Sequence, residues 1–179
     1  MKSPLAIVKI GGNIIENEAE LSHFLELFAQ LPGPKILVHG GGKKATAIGK
    51  QLGIESKLVN GRRITDHKSL EVAIMVYAGL VNKTIVATLQ SFACNAIGLS
   101  GADAGTIIAV KRPVRDIDFG FVGDVEQVNP EVINTILDAE LAPVFCALTH
   151  DGTGQLLNTN ADTIASELAI ALSEVYDTN

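Results

Sequence analysis

Basic side chains are in short supply. The 179-residue chain has 14 Lys and Arg against 20 Asp and Glu, a formal charge of −6 at neutral pH. That balance leaves no electrostatic footprint for nucleic acid or an anionic membrane surface. Cysteine is scarcer still: Cys94 and Cys146 sit inside apolar segments, with no metal-ligand spacing. They are expected as reduced, buried thiols of a cytoplasmic protein, with one disulfide as the alternative. No apolar run approaches the roughly 20 residues of a membrane-crossing helix, and the stretch before Lys9 is too short for a signal peptide. Low-complexity tracts are missing. The nucleotide fingerprints G-x-x-x-x-G-K-[ST] and strand-linked G-x-G-x-x-G are missing too, which argues against a P-loop NTPase or a dinucleotide enzyme.

What is present suits one domain with a packed core: 47% hydrophobic residues, 19% charged and 17 glycines. A β-branched run over 5–10 predicts a strand that ends at Gly11-Gly12. Leu21, Phe24, Leu25 and Phe28 fall on one helical face, and Pro32-Gly33-Pro34 stops that helix. A second strand over 35–38 enters His39-Gly40-Gly41-Gly42, and Ala45, Ile48 and Leu52 form the next helical face. The longest periodic segment spans about 68–92, with Leu70, Ala73, Ile74, Tyr77, Val81, Ile85, Thr88 and Leu89 on one face. Strands follow at 96–99 and 106–110, a small hairpin at 119–128, a helix at 131–139, a strand at 142–148, a segment at 155–158 and a last helix from Ala161. Alternating strands and helices predict an α/β fold, a mostly parallel sheet sandwiched by helices. Ligands of such sheets bind beyond the carboxyl ends of the strands.

Both glycine-rich turns, Gly11-Gly12 and Gly40-Gly41-Gly42, lie at that end. Without Cβ atoms the backbone can approach a ligand and aim successive N–H groups at an oxyanion or phosphate. Lys43 and Lys44 in the first turn of a helix oppose its positive N-terminal dipole, and an anion bound there would relieve the conflict. The plain alternative is a pair of tight turns with solvated lysines. His39-Gly-Gly-Gly42 also matches the oxyanion-hole motif of some esterases, with Ser100, Asp124 and His150 in hydrolase order.

With these turns, Asn60-Gly-Arg-Arg-Ile-Thr-Asp66 and Asn158-Thr-Asn-Ala-Asp162 in order, the chain resembles the amino acid kinase family, and within it the N-acetylglutamate kinases. Val81-Asn-Lys-Thr84, Gly98-Leu-Ser-Gly101 and Gly120-Phe-Val-Gly123 also match. The resemblance covers essentially the whole sequence. It implies phosphorylation of the γ-carboxylate of N-acetyl-L-glutamate, or a related N-acyl-glutamate, by ATP with Mg2+, in arginine biosynthesis. A free Glu carboxylate, with a pKa of about 4.3, is already ionised at neutral pH, so no general base is needed. The requirement is to offset repulsion between two anions and to stabilise the moving phosphoryl group.

The resemblance also implies roles for individual residues. Lys9 matches the transition-state lysine on the substrate side. Gly11, Gly12 and Gly41 match phosphoryl-binding backbone, and Gly41 and Gly42 the substrate-binding loop. Arg63 matches the arginine that holds the substrate α-carboxylate, for which a planar guanidinium is suited; Arg62 occupies a position that varies in type. Asn158 matches a substrate-binding amide and Asp162 a carboxylate that positions the catalytic lysines. Each has a plain alternative: Lys9 as a strand-end charge, Arg63 as a surface side chain, and Asn160 with Asp162 as an ordinary helix N-terminus. His39 reads as a hydrogen-bonded turn residue, and His23, His67 and His150 have no visible partners. No cluster suggests a protein-held metal, so magnesium would arrive on ATP. The long helix, with Tyr77 and Phe92 on its apolar surface, resembles the family's dimerisation helix and implies a homodimer; a plain core helix is the alternative. Residues 1–179 match the N-terminal, acyl-glutamate-binding lobe, whereas the family's nucleotide lobe, with a second catalytic lysine, lies beyond the match. Three functional readings follow: the kinase, impaired as a truncated chain; a non-catalytic acyl-glutamate-binding or dimerising module; and the esterase.

Overall fold

Short aliphatic runs punctuated by glycine turns build the centre of the molecule. The computed structural model describes residues 2–59 and 62–178, with Arg62 defined by its backbone alone; Asn60 and Gly61 of the basic motif lie outside the described residues. The first half runs β1 (Ser3–Ile10), α1 (Gly12–Glu16), α2 (Glu18–Gln30), β2 (Lys35–His39), α3 (Gly42–Gln51), β3 (Lys57–Val59) and β4 (Arg62–Ile64). Next come α4 (His67–Ala73), a π-helical stretch (Ile74–Val81), α5 (Asn82–Ser91), β5 (Ala96–Leu99), β6 (Ile107–Lys111) and β7 (Gly123–Val128). The chain then forms α6 (Pro130–Asp138), β8 (Ala142–Cys146), β9 (Leu148–His150), β10 (Leu156–Asn158), α7 (Ala161–Leu172) and β11 (Tyr176–Thr178).

The main sheet has five strands in the order β11-β1-β2-β8-β5, all parallel, as alternation of strand and helix predicts. Its central strands are buried on both faces, with Ile36, Leu37, Val38, Val144 and Phe145 out of contact with solvent. Helices α2 and α5 pack together, and α6 and α7 pack together on the opposite face. Each buried aliphatic or Phe side chain here stabilises the fold by roughly 1.5–3 kcal/mol.

The segments α4, Ile74–Val81 and α5 form one continuous helix, His67–Ser91. Asp66 caps it, its carboxylate accepting the Ser69 N–H at 2.8 Å. Ala73, Tyr77, Val81, Ile85 and Leu89 are buried at a strict spacing of four. Such a stripe drifts about 40° per step on an α-helix, and the wider π-helical turns counter that drift. At 25 residues and mean hydropathy 1.7 in its most apolar window, this helix is long and apolar enough to cross a membrane. That corrects the expectation from consecutive apolar runs, which the charges Glu71 and Lys83 interrupt. Its buried stripe faces the sheet and neighbouring helices, the packing of a core helix. Tyr77 is in that core and Phe92 packs against it, so the exposed apolar face belongs instead to Met75 and Leu80.

A second sheet, in the order β10-β9-β6-β7, departs from simple alternation. The expected strand at 142–148 divides at Ala147, whose carbonyl accepts the Thr159 N–H at 3.1 Å, and β9 crosses into this second sheet. The hairpin expected at 119–128 does not form. Its second half is β7, paired antiparallel with β6, while Phe119–Val122 becomes a rib between two other segments. Thr65 N–H donates to the Phe119 carbonyl, Phe121 N–H to Thr65, and Asn158 N–H to Phe121. Gly120 has φ +71°, and a Cβ there would lie 2.2 Å from the Thr65 carbonyl oxygen. The face expected from Ala45, Ile48 and Leu52 is shortened, because α3 ends at Gln51 and leaves Leu52 exposed. Cys94 and Cys146 are free and buried; burial raises both thiol pKa values, Cys146 to about 12.

Gly120→Ala combines a left-handed backbone with a main-chain clash, and is expected to destabilise the fold by about 1–3 kcal/mol. Urea denaturation of the variant against the parent chain measures this, and an unchanged midpoint would show that the rib is not constrained as described.

Candidate active site

Parallel pairing aligns Lys9 with Val38 and Ile10 with His39, so β1 and β2 end together and release their glycine turns at one sheet edge. Gly11 and Gly41 occupy the N-cap positions of α1 and α3, and neither helix start has a side-chain cap. Main-chain donors of both first turns therefore have no side-chain cap among the described residues. Lys43 links the two turns: its ammonium donates to Asn13 Oδ1 and lies 3.9 Å from Glu16, and its side chain is the neighbour a Cβ on Gly12 would meet. Gly41 has φ +154°, and a Cβ on it would fall 2.8 Å from the buried ring of Tyr77. That close approach of turn to helix requires glycine.

Helix α7 closes the third side. Ala161 is the side chain nearest Gly40, which brings the helix start over the β2 turn. Asn160 is its N-cap, with Oδ1 accepting from Asp162 N–H at 2.7 Å and Thr163 N–H at 3.1 Å. Asp162 Oδ1 lies 2.9 Å from Lys9 Nζ, with the lysine side chain 30% and the aspartate 70% exposed. Asn160 is thus an ordinary N-cap, and Asp162 in the first turn also forms an ion pair with the strand-end ammonium.

Arg63 is no free surface side chain. Its Nη2 donates to the Gly42 carbonyl at 2.8 Å and to Thr46 Oγ1 at 2.7 Å, and its Nη1 donates to Ser56 Oγ. Thr46 Oγ1 in turn donates to Gly42 at 2.9 Å. A guanidinium has five N–H donors, so part of the fork remains for an incoming carboxylate. Asn158 stands one rib away, its Nδ2 donating to Thr65 Oγ1 at 3.0 Å, which leaves its carbonyl oxygen as the free end. The structure thus gathers Lys9, Gly11, Gly12, Gly41, Gly42, Arg63, Asn158 and Asp162 around one sheet edge. Thr46, Ser56 and Tyr77 support them from outside the quoted motifs and Thr65 from within the 60–66 motif, with no role read for it; only the i to i+4 spacing of Gly42 and Thr46 on a helix hints at one such contact.

His39 is fully buried beneath the β2 turn. Its Nδ1 lies 2.8 Å from the Gly40 carbonyl and its Nε2 3.0 Å from Asn82 Nδ2. Desolvation lowers its pKa to about 4, against the favourable Gly40 bond and with help from the nearby Lys83 charge. The esterase constellation does not assemble among the described residues. Ser100 Oγ donates to Asp103 at 2.8 Å, Asp124 is held by a forked contact with Arg112, and His150 Nδ1 accepts the Gly152 N–H.

Residues 4–174 match the sequence model of the amino acid kinase family. The chain belongs to that family. Acetylglutamate kinase from Bacteroides fragilis is 55% identical over 177 residues, covering 99% of this chain and 68% of that enzyme. Acetylglutamate kinase from Cytophaga hutchinsonii is 57% identical over 176 residues, covering 98% of this chain and 67% of that enzyme. Among solved structures, smu.665 from Streptococcus mutans UA159 superposes with a TM-score of 0.79 at 25% identity, over 97% of this chain and 70% of that one. The chain therefore spans about two thirds of the length of the family members it matches.

The buried imidazole gives this kinase-family domain a pH dependence of definite sign. The folded pKa of His39 lies below its unfolded value of 6.5, so the unfolded chain binds the extra proton first. Its contribution is constant above pH 6.5, falls as pH drops toward 4, and amounts to roughly 3 kcal/mol. Urea midpoints between pH 7 and 4.5 should fall for the parent chain and fall less for His39→Asn. Parallel slopes in the two proteins would contradict the assignment.

Proposed function

We propose that this chain binds N-acetyl-L-glutamate, or a related N-acyl-glutamate, and carries the acceptor side of phosphoryl transfer from ATP to the γ-carboxylate, in arginine biosynthesis. The observation that carries this reading is the meeting of the Lys9–Asp162 pair, two uncapped glycine turns and the anchored Arg63 at one edge. Each answers a need of the reaction. Arg63 supplies a planar partner for the α-carboxylate, and the Asn158 carbonyl suits a substrate N–H donor. Lys9 offsets the repulsion between the γ-carboxylate and the phosphoryl group. The open N–H groups of the two turns stabilise charge that spreads over the phosphoryl oxygens. Asp162 keeps the Lys9 ammonium at the strand end.

Residues 1–179 act in this reading as the acyl-glutamate lobe, and the remaining third of the relatives' length corresponds to the part that holds adenosine and supplies a second lysine. Magnesium is bound chiefly by the ATP phosphates, where it neutralises their charge. The exposed Met75 and Leu80 on the long helix are the face through which two copies would pair as a homodimer. The buried thiols and acidic surface suit a soluble, cytoplasmic enzyme.

A calorimetric titration with N-acetylglutamate, paired with a hydroxamate assay in the presence of MgATP, tests the proposal. Arg63→Ala should weaken binding by about 10- to 100-fold, as loss of a charge-assisted contact predicts. Lys9→Met should leave binding nearly intact and lower any turnover by about 100-fold or more. Binding that depends on Arg63 supports the acyl-glutamate lobe, and turnover by the chain itself would add the full kinase reaction. Binding that is indifferent to Arg63 would overturn the site.

A further inference from the structure

Asn82 is buried, and every hydrogen-bonding atom of its amide has a partner. Nδ2 donates to His39 Nε2 at 3.0 Å and to the Val144 carbonyl at 2.9 Å, while Oδ1 accepts from Lys83 Nζ at 3.0 Å. Lys83 also donates to the Gly98 carbonyl at 3.1 Å. Turning the amide over would set Oδ1 against the Val144 carbonyl and Nδ2 against an ammonium, so its orientation is unique. Gly98 belongs to the same arrangement: a Cβ there would lie 1.9 Å from Asn82 Oδ1 and 2.7 Å from Lys83 Nζ.

This fixed amide determines the proton on His39. Nε2 faces an N–H donor and must present its lone pair; Nδ1 faces a carbonyl and must carry the hydrogen. The Gly40 carbonyl is thereby tied to the buried side of the turn. Because the peptide unit is planar and trans, a fixed Gly40 carbonyl turns the Gly41 N–H in the opposite direction. No acceptor among the described residues takes that N–H.

We propose that His39 is a positioning residue: held by Asn82 in its Nδ1–H tautomer, it orients the Gly40–Gly41 peptide so that the Gly41 N–H stays available to the phosphoryl group. The proposal deepens the phosphoryl-transfer reading and rests on it for the identity of the ligand. His39 touches no reacting atom and exchanges no proton in the reaction. The chain Lys83, Asn82, His39, Gly40 runs from the exposed side of the long helix to the glycine turn, which gives the Val81-Asn-Lys-Thr84 and Gly98-Leu-Ser-Gly101 motifs a shared purpose.

Two variants separate positioning from packing. His39→Asn puts an amide N–H close to where Nδ1 stands and keeps the bond to Gly40; His39→Gln puts it near Nε2 and loses that bond. Nitrogen-15 NMR of the wild-type chain should show Nδ1 protonated and Nε2 bare at neutral pH, whatever the variants do. The Gly41 amide resonance should stay near its wild-type position in His39→Asn and move in His39→Gln, with faster hydrogen exchange along the turn. In the calorimetric titration both variants should keep N-acetylglutamate affinity within about 2-fold of wild type, because Arg63 and Asn158 are untouched. An Nε2–H tautomer in the wild type, or the same Gly41 behaviour in both variants, overturns the proposal. If wild-type protein binds no N-acetylglutamate while the tautomer and Gly41 shifts are as stated, the substrate assignment fails and the positioning claim stands.

Discussion

Parallel hydrogen bonding between β1 and β2 is the constraint on which the site depends. A register that sets Ile10 beside His39 ends both strands at one level, so the two glycine turns emerge as neighbours. A slip of one residue would reverse the faces of β1, putting Pro4 or Ala6 in the place of the buried Leu5 and Lys9 or Gly11 in that of the buried Ile10. The burial of Ile36, Leu37 and Val38 in the adjacent strand makes such a slip costly. Core packing and site geometry are thus one requirement, and nothing separate is needed to place Lys9 at the sheet edge.

Charge at that edge is arranged in layers. Lys9 is paired with Asp162, Lys43 reaches Asn13 toward Glu16, and the Arg63 guanidinium is tethered to neutral oxygens of Gly42, Thr46 and Ser56. Among the described residues only neutral groups hold the guanidinium, which leaves its charge uncompensated there. Partly exposed pairs of the Lys9–Asp162 type contribute little to stability. In the proposed reading their value lies in geometry, because an ammonium fixed at a strand end would not have to be reorganised when a charged substrate arrives.

The two glycine turns at strand ends are legible in the sequence itself, whereas the roles of individual side chains there are implied only by the family resemblance. Lys9 and Asp162 each have a plain structural alternative in the sequence, a strand-end charge and a first-turn carboxylate, and only the fold brings them to 2.9 Å. The parallel sheet was legible through alternation of strand and helix. The second sheet was not, because β9 continues the apolar run of β8 without punctuation and only the capture of the Ala147 carbonyl by Thr159 marks the crossing. The periodic stripe that holds Tyr77 suits a dimerisation surface or a core helix equally, because a four-residue spacing does not say which side meets the core; its ring lies against Gly41. Thr46 and Ser56 are common residue types outside any motif, and Thr65 and Asn82 sit in quoted motifs whose purpose emerges only from tertiary contact.

The most direct test is a chemical-shift titration of the labelled chain with N-acetylglutamate. The two glycine turns and the start of α7 should respond, with Gly42, Lys43 and Asn158 moving most. The opposite end of the sheet has a large cavity of about 890 Å3, lined in part by Lys35, Cys94 and Glu140, and its resonances should stay still. Shifts centred on that far cavity, with the glycine turns unmoved, would contradict the assignment of the site.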